Sequence, residues 1–169
     1  MSFDGLANGA FMPKSKEPGE IYRPLIRPIY DSLTDAWELG VATFLKRYHK
    51  LPVEVAHLYA AYWCQAEVCN GGFCQFFSNT TGLLAPEALE AFRAMGLREW
   101  AEILEEAMSF FGEKYPRERA KREKVLDNHA EKNGGADPFA KLDDRFYKWL
   151  HAKPDRWELA ADKYAMGKP

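Results

Sequence analysis

The sequence predicts an all-α domain of six or seven helices around one long central helix at about residues 52–78. Three observations support this fold class. Apolar residues recur every three or four positions through most of the chain, which is helical spacing. No stretch sustains the period-two alternation of a half-buried strand, and the β-branched residues that favour strands are sparse. These patterns exclude a fold built on a sheet.

Length and composition predict one domain with a substantial core. The chain has 169 residues, of which 47% are hydrophobic and 28% are charged, and its formal net charge is -2. We expect residues 1–19 to form a flexible leader and residues 20–169 to form a single helical domain. The leader lacks the apolar centre of a signal peptide, and no run approaches the roughly 18 apolar residues of a membrane span. We therefore expect a cytoplasmic protein with no membrane contact.

The first helical pattern covers residues 29–49, after Pro24 and Pro28, and Pro52 is suited to the first turn of the next helix. Residues 52–78 then keep one apolar stripe in phase across a pair of glycines, which favours one continuous helix over two. Two adjacent glycines in a helix each cost about 1 kcal/mol relative to alanine. The stripe comprises Val55, Leu58, Tyr59, Tyr62, Ala66, Cys69, Phe73, Phe76 and Phe77.

Helical spacing continues to the end of the chain. We predict a short helix over residues 86–96, a second helix over 98–111 and a highly charged stretch over 117–132. The clearest loop is at 133–138, and two further helices follow over about 139–150 and 157–164.

The glycine pair lies among polar side chains opposite the apolar stripe, and this is the candidate ligand site. In one interpretation the glycines allow close helix packing while the polar groups satisfy neighbouring backbone. In the other, a small molecule or a peptide binds there. The motif residues are Glu67, Asn70, Gly71, Gly72, Phe73, Gln75, Phe76 and Asn79.

Catalytic and metal-binding signatures are not found in the sequence. Cys64, Cys69 and Cys74 are spaced five apart, so on a helix successive thiols diverge by about 140° and cannot converge on one ion. Their odd number and clustering suit reduced, buried thiols. We expect no metal site, no cofactor and no catalytic residues.

Charge is segregated along the chain. Residues 85–113 contain seven acidic residues and two arginines, whereas residues 114–132 contain seven Lys or Arg and four acidic residues. The basic stretch lacks interleaved aromatics, so a solvated helix with internal ion pairs is favoured over direct nucleic-acid binding through Arg117, Arg119, Lys121 and Arg122. The candidate acidic partner surface comprises Glu87, Glu90, Glu99, Glu102, Glu105 and Glu106.

At the glycine motif the chain resembles a bacterial family of unknown biochemical function that includes a DNA-mimic protein. The resemblance rests on Glu67-x-x-Asn70-Gly71-Gly72-Phe73-x-Gln75-Phe76-Phe77-x-Asn79, followed by Gly82. Weaker similarities follow in the family's order, ending in Leu142-Asp143-Asp144-Arg145-Phe146-Tyr147, so that residues 50–165 are covered.

The resemblance implies an all-helical, cytoplasmic bacterial protein with no known catalytic residues. A DNA mimic is implied to present carboxylates at phosphate-like positions and so to occupy a DNA-binding protein. With a net charge of -2, this chain has only the 87–113 region to supply such a strip.

These observations favour a non-enzymatic interaction module whose partner is another protein, basic or DNA-binding. A small-ligand binder or an enzyme centred on the glycine motif is the alternative. The sequence leaves open whether the chain forms homo-oligomers.

Overall fold

A computed structural model describes residues 17–153 and 155–167. It confirms the all-α fold class, with eight α-helices and no strand among the described residues. The predicted leader lies outside the described residues except for 17–19. The helices are α1 (Arg23–Leu33), α2 (Val41–Tyr48), α3 (Val53–Ser78), α4 (Ala85–Ala94), α5 (Arg98–Ser109), α6 (Arg119–Lys132), α7 (Ala140–Ala152) and α8 (Arg156–Ala165).

The long central helix is confirmed as α3, against which α1, α4, α6, α7 and α8 all pack. Because it is surrounded, its burial extends beyond the predicted stripe and includes Ala60, Ala61 and Cys64. Tyr62 and Cys69 of the stripe are only half-buried. Within residues 17–153 and 155–167, no helix combines the length and the apolar character needed to cross a membrane.

The backbone of α3 is not helical at the glycine pair. Gly71 has φ -157° and ψ 28°, and Gly72 has φ +72° and ψ -176°. The element therefore consists of a long segment, residues 53–70, and a short segment, residues 73–78, joined by a kink. Phase continuity predicted an uninterrupted helix here, and that prediction is wrong at Gly71 and Gly72. The helix kinks at these two residues, and Phe73, Phe76 and Phe77 after the kink are fully buried.

The first predicted helix is divided into two. Gly40, at φ +88°, separates α2 from a 3₁₀ turn at Asp35–Trp37, and α1 begins earlier than predicted. Pro24 lies in the first turn of α1, where a missing N–H costs nothing, and Pro28 lies inside the helix.

A carboxylate near the C-terminus holds the start of the described chain. Asp162 of α8 is buried, and its oxygens accept hydrogen bonds from the backbone N–H groups of Gly19 (2.7 Å), Ile21 (3.0 Å) and Tyr22 (2.9 Å). These contacts fix the entry into α1 against α8.

Aromatic rings fill the core beside the kink. Phe73 lies edge-on to Phe146 of α7, with ring centroids 5.7 Å apart, and Phe146 stacks on Trp100 of α5 at 4.6 Å. Phe77 meets Phe139 at 5.2 Å. The short segment of α3 therefore packs on α7, and Phe146 of α7 in turn contacts α5.

We expect Gly72→Ala to destabilise the fold by about 3 kcal/mol or more. Gly72 has φ +72° and ψ -176°, a backbone conformation that essentially only glycine adopts and that costs another residue about 1–3 kcal/mol, and a Cβ here would also overlap the buried Asp143 carboxylate. Urea unfolding of the purified variant and of wild type measures the decrease in the free energy of unfolding.

Gly134→Ala is the control for a positive φ without steric overlap, since Gly134 has φ +62° and a Cβ there would meet nothing within 4 Å. It should lose only about 1 kcal/mol. Equal losses in the two variants would contradict the close approach of Asp143 to Gly72.

Candidate functional site

Glu67 is the centre of the polar cluster around the glycine pair. Its Oε2 accepts hydrogen bonds from Gln75 Nε2 at 2.6 Å and from Asn79 Nδ2 at 2.7 Å. Its Oε1 accepts one from the Thr81 hydroxyl at 3.2 Å. Asn70 in turn donates to Gln75 Oε1 at 3.1 Å. The structure therefore brings the predicted polar residues together.

These bonds join the two segments of α3 across the kink. Glu67 and Asn70 belong to the long segment, and Gln75 belongs to the short segment. The same carboxylate also binds Asn79 and Thr81 of the following turn. Glu67 is thus committed to groups of its own chain.

Asp143 of α7 occupies the N-terminal end of the short segment. Its Oδ1 accepts the backbone N–H of Phe73 at 2.8 Å, and the absence of a side chain at Gly72 makes room for the carboxylate. Burial raises the pKa of Asp143 to about 6, although the bond from Phe73 acts in the opposite direction. The N–H groups in the first turn of a helix have no carbonyl partner within the helix. A carboxylate is well suited to accept hydrogen bonds from them.

Arg122 of α6 occupies the other end of the short segment. Its side chain is fully buried, its Nε donates to Phe77 O at 2.8 Å, and its Nη2 donates to Asn79 O at 2.8 Å. Its Nη1 donates to the carbonyls of Pro116 and Arg117. A cation at a helix C-terminus satisfies carbonyls that have no partner within the helix.

Sequence reasoning missed the roles of Asp143 and Arg122, although a signal existed for both. Asp143 lies four residues after Phe139 and three before Phe146, so it occupies an apolar helix position. Arg122 precedes Val125 and Leu126 by three and four residues in the same way. A charged residue at an apolar position indicates a buried partner.

The predicted acidic surface separates into two groups. Glu87 and Glu99 are half-buried and bind arginines of distant segments, Glu87 with Arg117 and Glu99 with Arg156 at 2.9 Å. These two carboxylates hold the fold together and are not a free acidic surface.

The other four glutamates, Glu90, Glu102, Glu105 and Glu106, are exposed. Glu105 pairs with Arg93 at 2.8 Å, and their side chains are 59% and 52% exposed. Glu106 pairs with Arg145, and their side chains are 56% and 48% exposed. Glu90 and Glu102 form no ion pair with a described residue.

The basic stretch contributes mainly to internal contacts. Arg117 donates to Leu83 O at 2.7 Å, Arg119 pairs with Glu123 at 2.9 Å, and Lys121 pairs with Glu118 at 3.2 Å. Arg122 is buried and Arg117 is half-buried, so these two arginines are not free to contact phosphates, whereas Arg119 and Lys121 remain 52% and 67% exposed in their pairs.

The cysteines are free thiols, with Cys64 buried and Cys69 and Cys74 half-buried. Cys74 donates to Asp137 Oδ1 at 3.2 Å, and burial raises its pKa to about 12, so the thiolate is disfavoured. Among the described residues, no group of three or more His, Cys, Asp or Glu side chains could hold a metal ion.

Comparison with known proteins identifies one family. The sequence model of a family described as DMP19-like protein matches residues 49–166, which include α3 to α8 and every residue of the glycine motif. No curated protein and no solved structure matches the chain.

We expect Glu67→Gln to destabilise the fold by about 2 kcal/mol, because hydrogen bonds to a charged acceptor are each worth about 1.5–3 kcal/mol. The new amide would also place N–H groups against the donors of Gln75 and Asn79. Urea unfolding at pH 7 measures the change. Glu131→Gln, at an exposed position of α6, is the control. If Glu67→Gln lowers the free energy of unfolding no more than this control does, Glu67 does not have the structural role assigned to it.

We expect Asp143→Asn to alter the pH dependence of stability. The native pKa of about 6 lies above the ordinary 3.8, so the native state binds more protons than the unfolded state between these values. The contribution of Asp143 to wild-type stability should therefore fall as the pH rises from about 4 to about 6, by up to about 3 kcal/mol. The variant lacks this contribution, so its stability relative to wild type should rise over the same window.

Chemical denaturation at closely spaced pH values measures that difference directly. Asp127→Asn, at an exposed position of α6, is the control and should follow the wild-type profile. A constant difference between Asp143→Asn and wild type across the window would contradict the shift.

Proposed function

Because this chain belongs to the DMP19-like protein family, we propose that it is a non-enzymatic interaction module that binds a basic surface of another protein. The observation that carries the proposal is a row of exposed carboxylates on α5, namely Glu102, Glu105 and Glu106. On a helix, residues three and four apart lie on one face with their Cβ atoms about 5–6 Å apart. Glu102, Glu105 and Glu106 therefore present their charges together, and we call them the α5 carboxylates.

The ion pairs on this surface do not prevent binding. Pairs as exposed as Arg93–Glu105 and Arg145–Glu106 are worth only about 0–1 kcal/mol, because water competes for both partners. A partner that brings its own arginine or lysine can replace the intramolecular cation at little cost. The partner's basic groups would then be held at a lower dielectric, where each charge contact is stronger.

We further propose that the partner's basic surface is one that otherwise contacts DNA phosphates, in keeping with the DNA-mimic member of the resembling family. The half-buried pairs of Glu87 and Glu99 restrict this mimicry to the α5 carboxylates and their immediate surroundings. The mimic surface is accordingly a short strip and does not extend over a whole face.

A ligand site or an active centre at the glycine motif is the weaker alternative. Glu67 binds Gln75, Asn79 and Thr81, and Asp143 takes the space left open by Gly72. Any ligand at the motif would have to replace these internal bonds. We therefore assign the motif a structural role.

We expect the triple variant Glu102→Gln/Glu105→Gln/Glu106→Gln to bind the natural partner much more weakly than wild type does. The immobilised protein is exposed to native lysate, and retained proteins are quantified by mass spectrometry over a range of salt concentrations. Wild type should retain a saturable partner that is released by salt and displaced by duplex DNA, and the variant should retain at least about tenfold less.

The control variant is Glu113→Gln/Asp127→Asn/Glu131→Gln, which makes the same change in net charge at exposed positions outside α5. It should bind the partner as wild type does. Equal loss of binding in both variants would mean that net charge alone, and not the α5 surface, attracts the partner. A partner that duplex DNA does not displace would contradict the mimicry.

A further inference from the structure

A cleft of about 410 Å³ lies between the end of α2, the start of α3 and the start of α4. Leu51, Val53 and Pro86 form apolar walls, and Glu87, Glu90 and Arg117 supply charge. Its volume is within the 300–1,000 Å³ of ordinary ligand sites. Val53 is 56% exposed, so an apolar side chain lies open to solvent beside carboxylates.

One negative charge in this cleft has no internal counter-charge. Glu87 and Arg117 neutralise each other in a half-buried pair, and Arg117 also donates to Leu83 O. Glu90, three residues after Glu87 and so on the same face of α4, is exposed and forms no ion pair within residues 17–153 and 155–167.

The histidines do not reverse this balance. His57 lines the cleft, and its Nδ1 is hydrogen-bonded to the Tyr164 hydroxyl at 2.7 Å. Burial lowers the pKa of His57, so its ring is neutral at pH 7. His49, at the rim, has its Nε2 3.6 Å from Glu87, to which Arg117 is already bound. The cleft as a whole therefore favours a cation.

We propose that this cleft receives a lysine or arginine side chain of the protein partner, with its aliphatic stem against Leu51, Val53 and Pro86 and its charge at Glu90. This anchor rests on the proposed function and adds a second contact beside the α5 carboxylates. A basic side chain suits the cleft because its stem is apolar and its end is charged. At Glu105 or Glu106 an incoming cation must displace an arginine, whereas at Glu90 it displaces only water.

The probe is a capped peptide, acetyl-Gly-Arg-Gly-amide, titrated into the ¹⁵N-labelled full chain and followed by NMR. Saturable shifts should appear at Leu51, Val53 and Glu90, and the norleucine peptide, which keeps the stem without the charge, should give none. Glu90→Gln should raise the Kd of the arginine peptide about fivefold, as expected for the loss of one partly exposed charge contact, while Glu131→Gln should leave this Kd unchanged.

Two results would overturn the anchor. Shifts spread equally over all exposed carboxylates, or a Kd unaffected by Glu90→Gln, would mean that charge alone attracts the peptide. Tighter binding of free arginine than of the capped peptide would identify a small-molecule site instead.

The anchor and the proposed function fail in different ways. The triple glutamine variant of α5 should still bind the peptide in the cleft, because it leaves Glu90 intact. If the capture experiment fails while the peptide still binds at Glu90, only the interaction through α5 is wrong. If the peptide does not bind at Glu90, the anchor is wrong whatever the capture shows.

Discussion

A carboxylate and a guanidinium hold the two ends of the short helical segment that follows Gly72. Asp143 accepts the first N–H of residues 73–78, and Arg122 donates to the carbonyls of Phe77 and Asn79 at the other end. Six residues are too few for a stable isolated helix, so this segment depends on the hydrogen bonds of these two side chains and on its buried phenylalanines. Since α6 and α7 are both bound to this segment, their positions in the fold depend on it in turn.

This arrangement assigns a structural task to much of the chain's charge. Glu67, Glu87, Glu99, Arg122, Asp143 and Asp162 all bind partners of their own chain in buried or half-buried positions. The carboxylates that remain for recognition are fewer than the composition indicates. Of the predicted acidic surface, only Glu90 on α4 and Glu102, Glu105 and Glu106 on α5 remain exposed, so the proposed binding surface is small.

Periodicity predicted the fold class and most helices, because helical spacing is a local property. The prediction of 98–111 corresponds to Arg98–Ser109, and the prediction of 86–96 corresponds to Ala85–Ala94. The kink was missed because the apolar phase is the same on both sides of it. The polar motif was found since its members lie within 12 residues of one another, whereas Asp143 and Arg122 contact the short segment from 70 and 45 residues away. Their positions in the apolar pattern indicate burial, but periodicity does not indicate which distant segment each residue contacts.

The capture of Gly19, Ile21 and Tyr22 by Asp162 has a consequence for biosynthesis. The bond from Gly19 closes a separation of 143 residues, so its acceptor is among the last parts of the domain to leave the ribosome. Until then the N-terminal segment has no carboxylate to bind, and Tyr22 cannot be held in its buried place. A contact between such distant residues costs more loop-closure entropy than a local contact, so we expect it to form late in folding. During translation, residues 19–22 can form these hydrogen bonds only after Asp162 has been synthesised.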